Sequence, residues 1–348
     1  MTRDLRALLA NITEEETTPI KKEGENFHSR VLMIDGLNLF FRNFATINFL
    51  NKDGVPIGGM AGFLRSLGSL IQLVQPTGVY VIFDGQGSST NRKNLLPEYK
   101  SNRGITRITN WDTYDNIEDE GESKVDQITR LIHYLQCLPV KTGMIDKAEA
   151  DDMIAYLANT LPKTHDTDVV IVSSDKDYLQ LASPKVTIYR PISKKFYRAK
   201  EVADEYGIHS DNFIIYKTLL GDKSDKIDGI RGLGPKTLLK HFPELKQTPL
   251  DLDEIFEIAE AKLTTHKVFA KILHAEDSLR VSYRLMDLKN PILDERQIAY
   301  IEALVKEDNN TFSRKEFLEM YHADGVDHFI RNVEGWVTDT FFKLGNFK

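Results

Sequence analysis

Carboxylates recur in this chain where apolar runs stop. Asp35 follows the run VLMI (31–34), Asp84 follows VYVIF (79–83), and Asp175 and Asp177 follow VVIV (169–172). Glu149, Asp151 and Asp152 stand just before the helical stretch 153–159, while Asp222 and Asp225 follow the apolar stretch 213–220. So many acids in one crevice would repel one another unless cations were present. Hard divalent cations such as Mg2+ accept oxygen ligands, keep several waters and need only a few carboxylates each. Two such ions can stabilise the attacking and leaving oxygens of a phosphodiester during in-line displacement, a chemistry that needs no thiolate and no covalent intermediate.

Each motif alone has a plainer reading. Asp35 and Asp84 could be turn or cap residues, and acids at 149–152 could cap a helix and favour its positive end. Repetition changes the balance, because ligands of open α/β sheets gather outside the carboxyl ends of the strands.

Acid and glycine features abut in LLGDKSDKIDGIRGLGPKTLL (219–239). Gly229, Gly232 and Gly234 permit backbone that exposes N–H groups to a phosphate, Pro235 suits the first turn of a helix, and Lys236 adds charge beside it. The form G-I-x-G-x-G-P-K is that of the second hairpin turn of a helix-hairpin-helix unit, which grips DNA backbone without reading sequence. It is not a P-loop, since G-x-x-x-x-G-K-[ST] is absent. A polar stretch, QGSSTNRKNLLPEYKSNR (86–103), carries Arg92, Lys93, Lys100 and Arg103 with Tyr99 among them. Basic side chains with an interleaved aromatic suit phosphate contact and base stacking; a solvated basic face is the plainer alternative.

The elements that must position these groups follow from periodicity. The runs 31–34, 79–83 and 169–172 read as strands buried on both faces, 186–189 and 195–197 as a short hairpin, and 59–73, 125–138 and 153–159 as helices. Residues 86–124 are longer than an ordinary connection and read as an insertion over the sheet. The fold class is therefore α/β, with a mostly parallel central sheet flanked by helices. The expected division is a mobile extension over 1–27, a core over 28–200, a helix-hairpin-helix region over 201–290 and a helical tail over 291–348. That tail carries Tyr321, Phe329, Trp336, Phe341, Phe342 and Phe347, which read as packed rather than partner-seeking.

With 348 residues, 41% of them hydrophobic, the chain can bury a sizeable core. A net charge of -7 argues against a nonspecific nucleic-acid coat protein but suits carboxylates gathered around metal ions. One cysteine, Cys137, excludes an intramolecular disulfide and a thiolate zinc site. No stretch approaches the roughly 18 consecutive apolar residues of a membrane span, so no membrane partner is expected and a cytoplasmic setting is, in a host cell if the chain is of phage origin.

Together the motifs resemble the flap endonuclease or 5′ nuclease family, most closely its stand-alone bacteriophage-type, RNase H-like and bacterial members. The likeness spans about 31–288 and rests on VLMIDGLNLFFR, VIFDG, LLPEYKSNR, EADDMIAYLA, SSDKDYLQL and GDKSDKIDGIRGLGPKT, all in the family's order. It implies a PIN-like core, a helical arch over 86–124 and two groups of Mg2+ ligands, with Mn2+ as a substitute. Asp35, Asp84, Glu149 and Asp151 match the first group; Asp175, Asp177 and Asp225 match the second, with Asp152 and Asp222 as outer-sphere members. It further implies that Lys100 and Arg103 reach the scissile phosphate, that Tyr99 stacks on a base, and that K+ accompanies the hairpin turn. The implied substrates are DNA with 5′ flaps, nicks or branches and RNA/DNA hybrids, cut by a monomer in replication and repair. As an alternative to its packed reading, the aromatic tail could dock a replication protein such as a sliding clamp or single-strand-binding protein. Two rivals stand beside this reading: a PIN-like single-strand ribonuclease, which would not require the 229–236 turn, and a catalytically silent branch-binding protein, which would have lost carboxylates.

Overall fold

The computed structural model describes residues 29–102, 108–307, 312–342 and 344; the expected extension over 1–27, Arg103 and Phe347 lie outside them. Six strands form one sheet: β1 (Arg30–Asp35), β2 (Gly78–Asp84), β3 (Lys141–Ile145), β4 (Asp168–Val172), β5 (Val186–Arg190) and β6 (Lys195–Tyr197). Their order is β3-β2-β1-β4-β5-β6. All neighbours are parallel except β5 and β6, which form the expected hairpin. The strand order reverses beside β1, and that switch point opens a crevice at the carboxyl ends of β1 and β4.

Alternation along the strands feeds two cores. Val31, Met33, Val169 and Ile171 face one apolar cluster with the Ala150–His165 and Phe213–Leu220 helices, whereas Leu32, Ile34, Val170 and Val172 face the other. The second cluster holds the Gly36–Phe44, Gly58–Val74 and Ile117–Gln136 helices. Because both faces are covered, β1, β2 and β4 read as unbroken apolar runs.

Two sequence expectations change. Strand β3 is not evident in the sequence because it is an edge strand: the Glu295–Lys306 helix covers it, Lys141 Nζ donates to Val305 O at 2.7 Å, and Met144 is exposed. No two-faced apolar run arises there. Second, the helix expected from residue 125 begins at Ile117, where the Asn116 side chain accepts from the Asp119 N–H. The acidic stretch after residue 116 is thus the first turns of a core helix, not the end of an insertion; acids there complement the helix dipole. The C-terminal segment packs against the core, as its aromatics suggested. Phe317, Tyr321, Val337 and Phe341 are fully buried in the second cluster, and Trp336 packs on Gly68; Phe342 remains exposed. Residues of 208–288 likewise share the first cluster with the sheet.

Candidate active site

The carboxyl edge of the sheet gathers the acids. Asp35 ends β1 and caps the helix after it: its Oδ1 accepts from the Asn38 N–H at 3.1 Å and its Oδ2 from Ser173 Oγ at 3.1 Å. The cap reading and the cluster reading of Asp35 are thus both realised. Asp84 ends β2, and its Oδ1 accepts from the Ala150 N–H at 2.7 Å, tying it to the start of the helix that carries Asp151 and Asp152. Asp175 lies just beyond β4, exposed, and its Oδ1 accepts from the Asp177 N–H at 2.9 Å. Burial, with Asp84 and Asp175 nearby, pushes the Asp35 carboxyl up to about 7. Burial and the adjacent Glu149 raise Asp84 as well.

Basic groups from the 86–103 stretch point into this cluster. Arg92 is buried and grips Asp152 with both terminal nitrogens, at 2.5 and 3.0 Å. It also lies 3.3 Å from Glu149 and 3.4 Å from Asp151, and its Nε donates to Leu285 O. Its expected role as an exposed DNA contact is therefore corrected: Arg92 is the counter-ion of three carboxylates. Asp152 is held by Arg92 and by the Ile292 N–H at 2.9 Å, which accounts for it without a metal. Tyr99 is corrected in the same way, being 2% exposed among Leu96, Ile227, Leu285 and Met286, with its hydroxyl donating to Glu149 at 3.2 Å. A buried ring cannot stack on a base from this position. Lys100 donates to Glu149 at 2.7 Å, and Ser89 Oγ donates to it at 2.9 Å; Lys93 is exposed. Burial opposes ionisation of Glu149, but Arg92 and Lys100 outweigh it and hold that carboxyl below its ordinary value. For Asp151 burial wins, and its carboxyl is pushed well up.

A second group is the more compact of the two. Oxygens of Asp177, Asp222 and Asp225 lie within 4.8 Å of one another. Lys217 stands between Asp177, at 2.5 Å, and Asp222. Asp222 also accepts from Ser224 Oγ at 2.6 Å, and although burial opposes its charge, Lys217 and Ser224 hold it at about 2. Burial and the neighbouring Asp175 instead push Asp177 up to about 7. Asp222 thus sits within this close group, and Asp175 borders it through the Asp177 N–H. Lys217 went unnoticed in the sequence; its signal was a lone charge in the apolar helix Phe213–Leu220.

The donors suit a hard divalent cation: they are all oxygen, and among the described residues the buried atoms Asp151 Oδ1 and Asp177 Oδ1 face only the cationic heads of Arg92, at 3.4 Å, and Lys217, at 2.5 Å. A pH dependence follows. Asp35 and Asp177, raised from the ordinary value to about 7, stabilise the metal-free fold fully only below about pH 4, and this contribution is lost as pH rises through about 7. Calorimetry of metal-free protein is expected to give a lower Tm at pH 8 than at pH 6. Cation affinity should rise over the same interval with proton release. An affinity independent of pH there would refute the ligand role of both residues.

The hairpin follows directly. Gly221–Asp222 pairs antiparallel with Ile227–Asp228, closing the loop that carries Asp225, whose carbonyl accepts from the Lys100 N–H at 3.0 Å. Gly229 is not explained by phosphate approach. A Cβ there would lie 2.2 Å from the Leu220 carbonyl carbon, and Gly221, at φ +75°, faces the Gly229 nitrogen equally closely. Gly229→Ala is therefore expected to lower Tm and weaken divalent-cation binding together, as read by thermal melts with and without the cation; an unchanged melt would contradict the close approach. Gly232, at φ +86°, is exposed, and Gly234 precedes the Pro235–His241 helix with open space around it and Lys236 exposed beside it. Gly232, Gly234 and Lys236 thus lie at the solvent-open start of this helix.

The chain is similar to known proteins over much of its length. The profile of the 5′-3′ exonuclease N-terminal resolvase-like domain matches residues 30–207. The 5′-3′ exonuclease of Bacillus subtilis (strain 168) is 32% identical over 226 residues, 62% of this chain and 71% of that protein. DNA polymerase I of Rhizobium leguminosarum is 31% identical over 289 residues, 80% of this chain but only 26% of the polymerase, so the chain spans about a quarter of that relative. Among solved structures, the bacteriophage T5 D15 flap endonuclease, in complex with DNA and metal ions, superposes with a TM-score of 0.62 at 22% identity, covering 84% of this chain and 99% of that one. That likeness shows a common fold whose T5 representative binds divalent metal ions. Because the profile covers the segment that brings Asp35, Asp84, Glu149, Asp151, Asp175 and Asp177 to one sheet edge, the chain belongs to the 5′-3′ exonuclease family, whose named members are hydrolytic nucleases.

Proposed function

We propose that this chain is a structure-specific 5′ nuclease that hydrolyses phosphodiester bonds at 5′ ends, flaps, nicks and branches of DNA, and in RNA/DNA hybrids, during replication and repair. The observation that carries the reading is covalent: the Asp222–Asp228 hairpin carries carboxylates of the second group and runs straight into the Gly232–Lys236 turn. A backbone grip and a cutting centre are thereby held a fixed, short distance apart, so a duplex held at the turn is cut near its junction. The protein would act as a monomer in the cytoplasm; no helix among the described residues is long and apolar enough to cross a membrane.

Asp35, Asp84, Glu149 and Asp151 would hold one Mg2+, and Asp177 and Asp225, with Asp175 or Asp222, a second; Mn2+ would substitute, and K+ would sit at the hairpin turn. Bound there, the ions supply Lewis-acid activation of water and charge relief at the phosphodiester. The chain's own groups do the rest. Lys100, aimed at Glu149, can turn its ammonium to the scissile phosphate once that carboxylate has another cation. Tyr99 and Arg92 fix the Glu149 and Asp152 carboxylates by hydrogen bonds. Lys236 and the N–H groups after Gly234 take duplex phosphates.

The test is cleavage of a 5′-labelled flap duplex with Mg2+ and with a chelator. The expected result is a chelator-sensitive cut near the junction that leaves a 5′-phosphate and a 3′-hydroxyl. Equal cutting of unstructured RNA would favour the single-strand ribonuclease reading instead, and no cutting of either would favour the branch-binding one.

A further inference from the structure

A second concave site lies apart from the carboxylate edge. It is a groove of about 550 Å³ between the 51–57 loop, the start of the Gly58–Val74 helix, the 113–115 turn and the Ile117–Gln136 helix, and Asp324 closes one end. That volume falls in the range of ligand pockets. Its apolar lining is Val55, Pro56, Ile57, Met60 and Tyr114, and Val55 is 50% exposed.

The rim has one sign. Asp115, Asp119, Glu122, Asp126 and Asp324 line the groove, against a single cation, Arg130. Arg130 is already committed: its Nε and Nη2 donate to Asp324 at 2.7 and 2.9 Å, and Tyr134 donates to the same carboxylate at 2.6 Å. Helix capping explains acids in the first turn. It does not explain Asp115, which precedes the helix, or Glu122 and Asp126, which lie beyond its first turn. Asp119, Glu122 and Asp126 are spaced i, i+3, i+7, so one helix face turns three carboxylates to the groove. Among the described residues, none of Asp115, Asp119, Glu122 and Asp126 has an ion-pair partner. A surface of this charge repels a phosphate backbone, which separates it from any DNA track. Asp324, alone among the lining residues, comes from the C-terminal segment, beyond the matched 30–207, and its carbonyl accepts from Asn51 Nδ2 at 2.9 Å.

We infer that this groove seats a peptide segment of a partner protein that carries lysine or arginine beside one or two apolar side chains. The apolar lining takes the apolar side chains, and the acidic helix face takes the cationic heads; charge complementarity selects this occupant over an acidic tail or a nucleic acid. The site would tether the protein by a face that leaves the carboxylate edge free.

The test uses the full chain and short fluorescein-labelled peptides of alternating Lys/Leu, Glu/Leu and Lys/Ser, followed by anisotropy at physiological salt. The Lys/Leu peptide is expected to bind at least about tenfold more tightly than the other two. The double variant Asp119→Lys/Asp126→Lys should lose that preference, and Val55→Ser should weaken Lys/Leu alone. Both variants are exposed, and their folding is checked by thermal melts. Hydrogen exchange with the Lys/Leu peptide bound should protect amides in 51–60 and 113–126 and spare 222–236. Equal binding of Lys/Leu and Lys/Ser would reduce the site to general electrostatics and overturn the proposal. So would retained binding by the double variant, displacement by spermidine at matching concentration, or displacement by flap DNA.

Discussion

Asp84→Asn is expected to lower the rate of flap cleavage by on the order of a hundred- to thousandfold while leaving the fold intact. The asparagine oxygen can still accept from the Ala150 N–H, so the tie between β2 and the Ala150–His165 helix survives. What disappears is a charge in a place where burial and Glu149 already oppose it. Without divalent cation the variant should therefore melt at or above the wild-type temperature, and the rise in Tm on adding Mg2+ should shrink. Asp177→Asn gives the same loss of activity by a different route. It leaves Lys217 with Asp222 as its remaining close carboxylate, so the second group loses an anion but keeps its lysine. Full activity in either variant would remove that carboxylate from the cation-binding set; a fall in activity with an unchanged Mg2+ response would assign it to substrate positioning.

The largest stability effect belongs to Arg92→Met. Removing one partner of a buried ion pair costs about 3–5 kcal/mol because it leaves charge uncompensated, and Arg92 faces Glu149, Asp151 and Asp152 together. Chemical denaturation at neutral pH should show a loss of that size. The sign of its pH dependence follows from Glu149, whose lowered carboxyl contributes stability that is full above its ordinary value and is lost as pH falls from there through its own lower one. Arg92 helps to lower it, so the gap between wild type and variant is widest at neutral pH and narrows toward about pH 4. Lysine at position 92 should restore only part, since it cannot span both Asp152 oxygens and Leu285 O as the guanidinium does. Adding Asp152→Asn to Arg92→Met should recover stability, because it removes a charge that the first substitution stranded. If the two losses simply add, the pair is not the source of the effect.

Much of this molecule was legible because its signals are local. A strand buried on both faces must be an apolar run, so 31–34, 79–83 and 169–172 showed themselves, and the acids at their ends were visible as breaks in those runs. Strand β3 was hidden because an edge strand lined by Lys141 and Gly143 has no two-faced burial to impose a pattern. The start of the Ile117–Gln136 helix was hidden because its first turns are acidic and polar, a composition shared with loops.

The chemistry divides in the same way. Residue type and spacing alone determined that acids stand at element ends, that a cation-dependent phosphodiester chemistry suits them, and that a glycine turn with Lys236 follows the last pair. Which basic groups face those acids was decided only by the tertiary structure. Arg92 and Asp152 are 60 residues apart, and Arg92 and Lys93 look alike in sequence, yet one is buried against three carboxylates and the other is exposed. Lys217 reaches Asp177 from another helix, and Gly229 is fixed by the backbone of Leu220 and Gly221 rather than by a ligand. Local sequence sets which conformations and charges are available; burial and ion pairing depend on what distant segments bring alongside, and that is known only once the sheet has placed them.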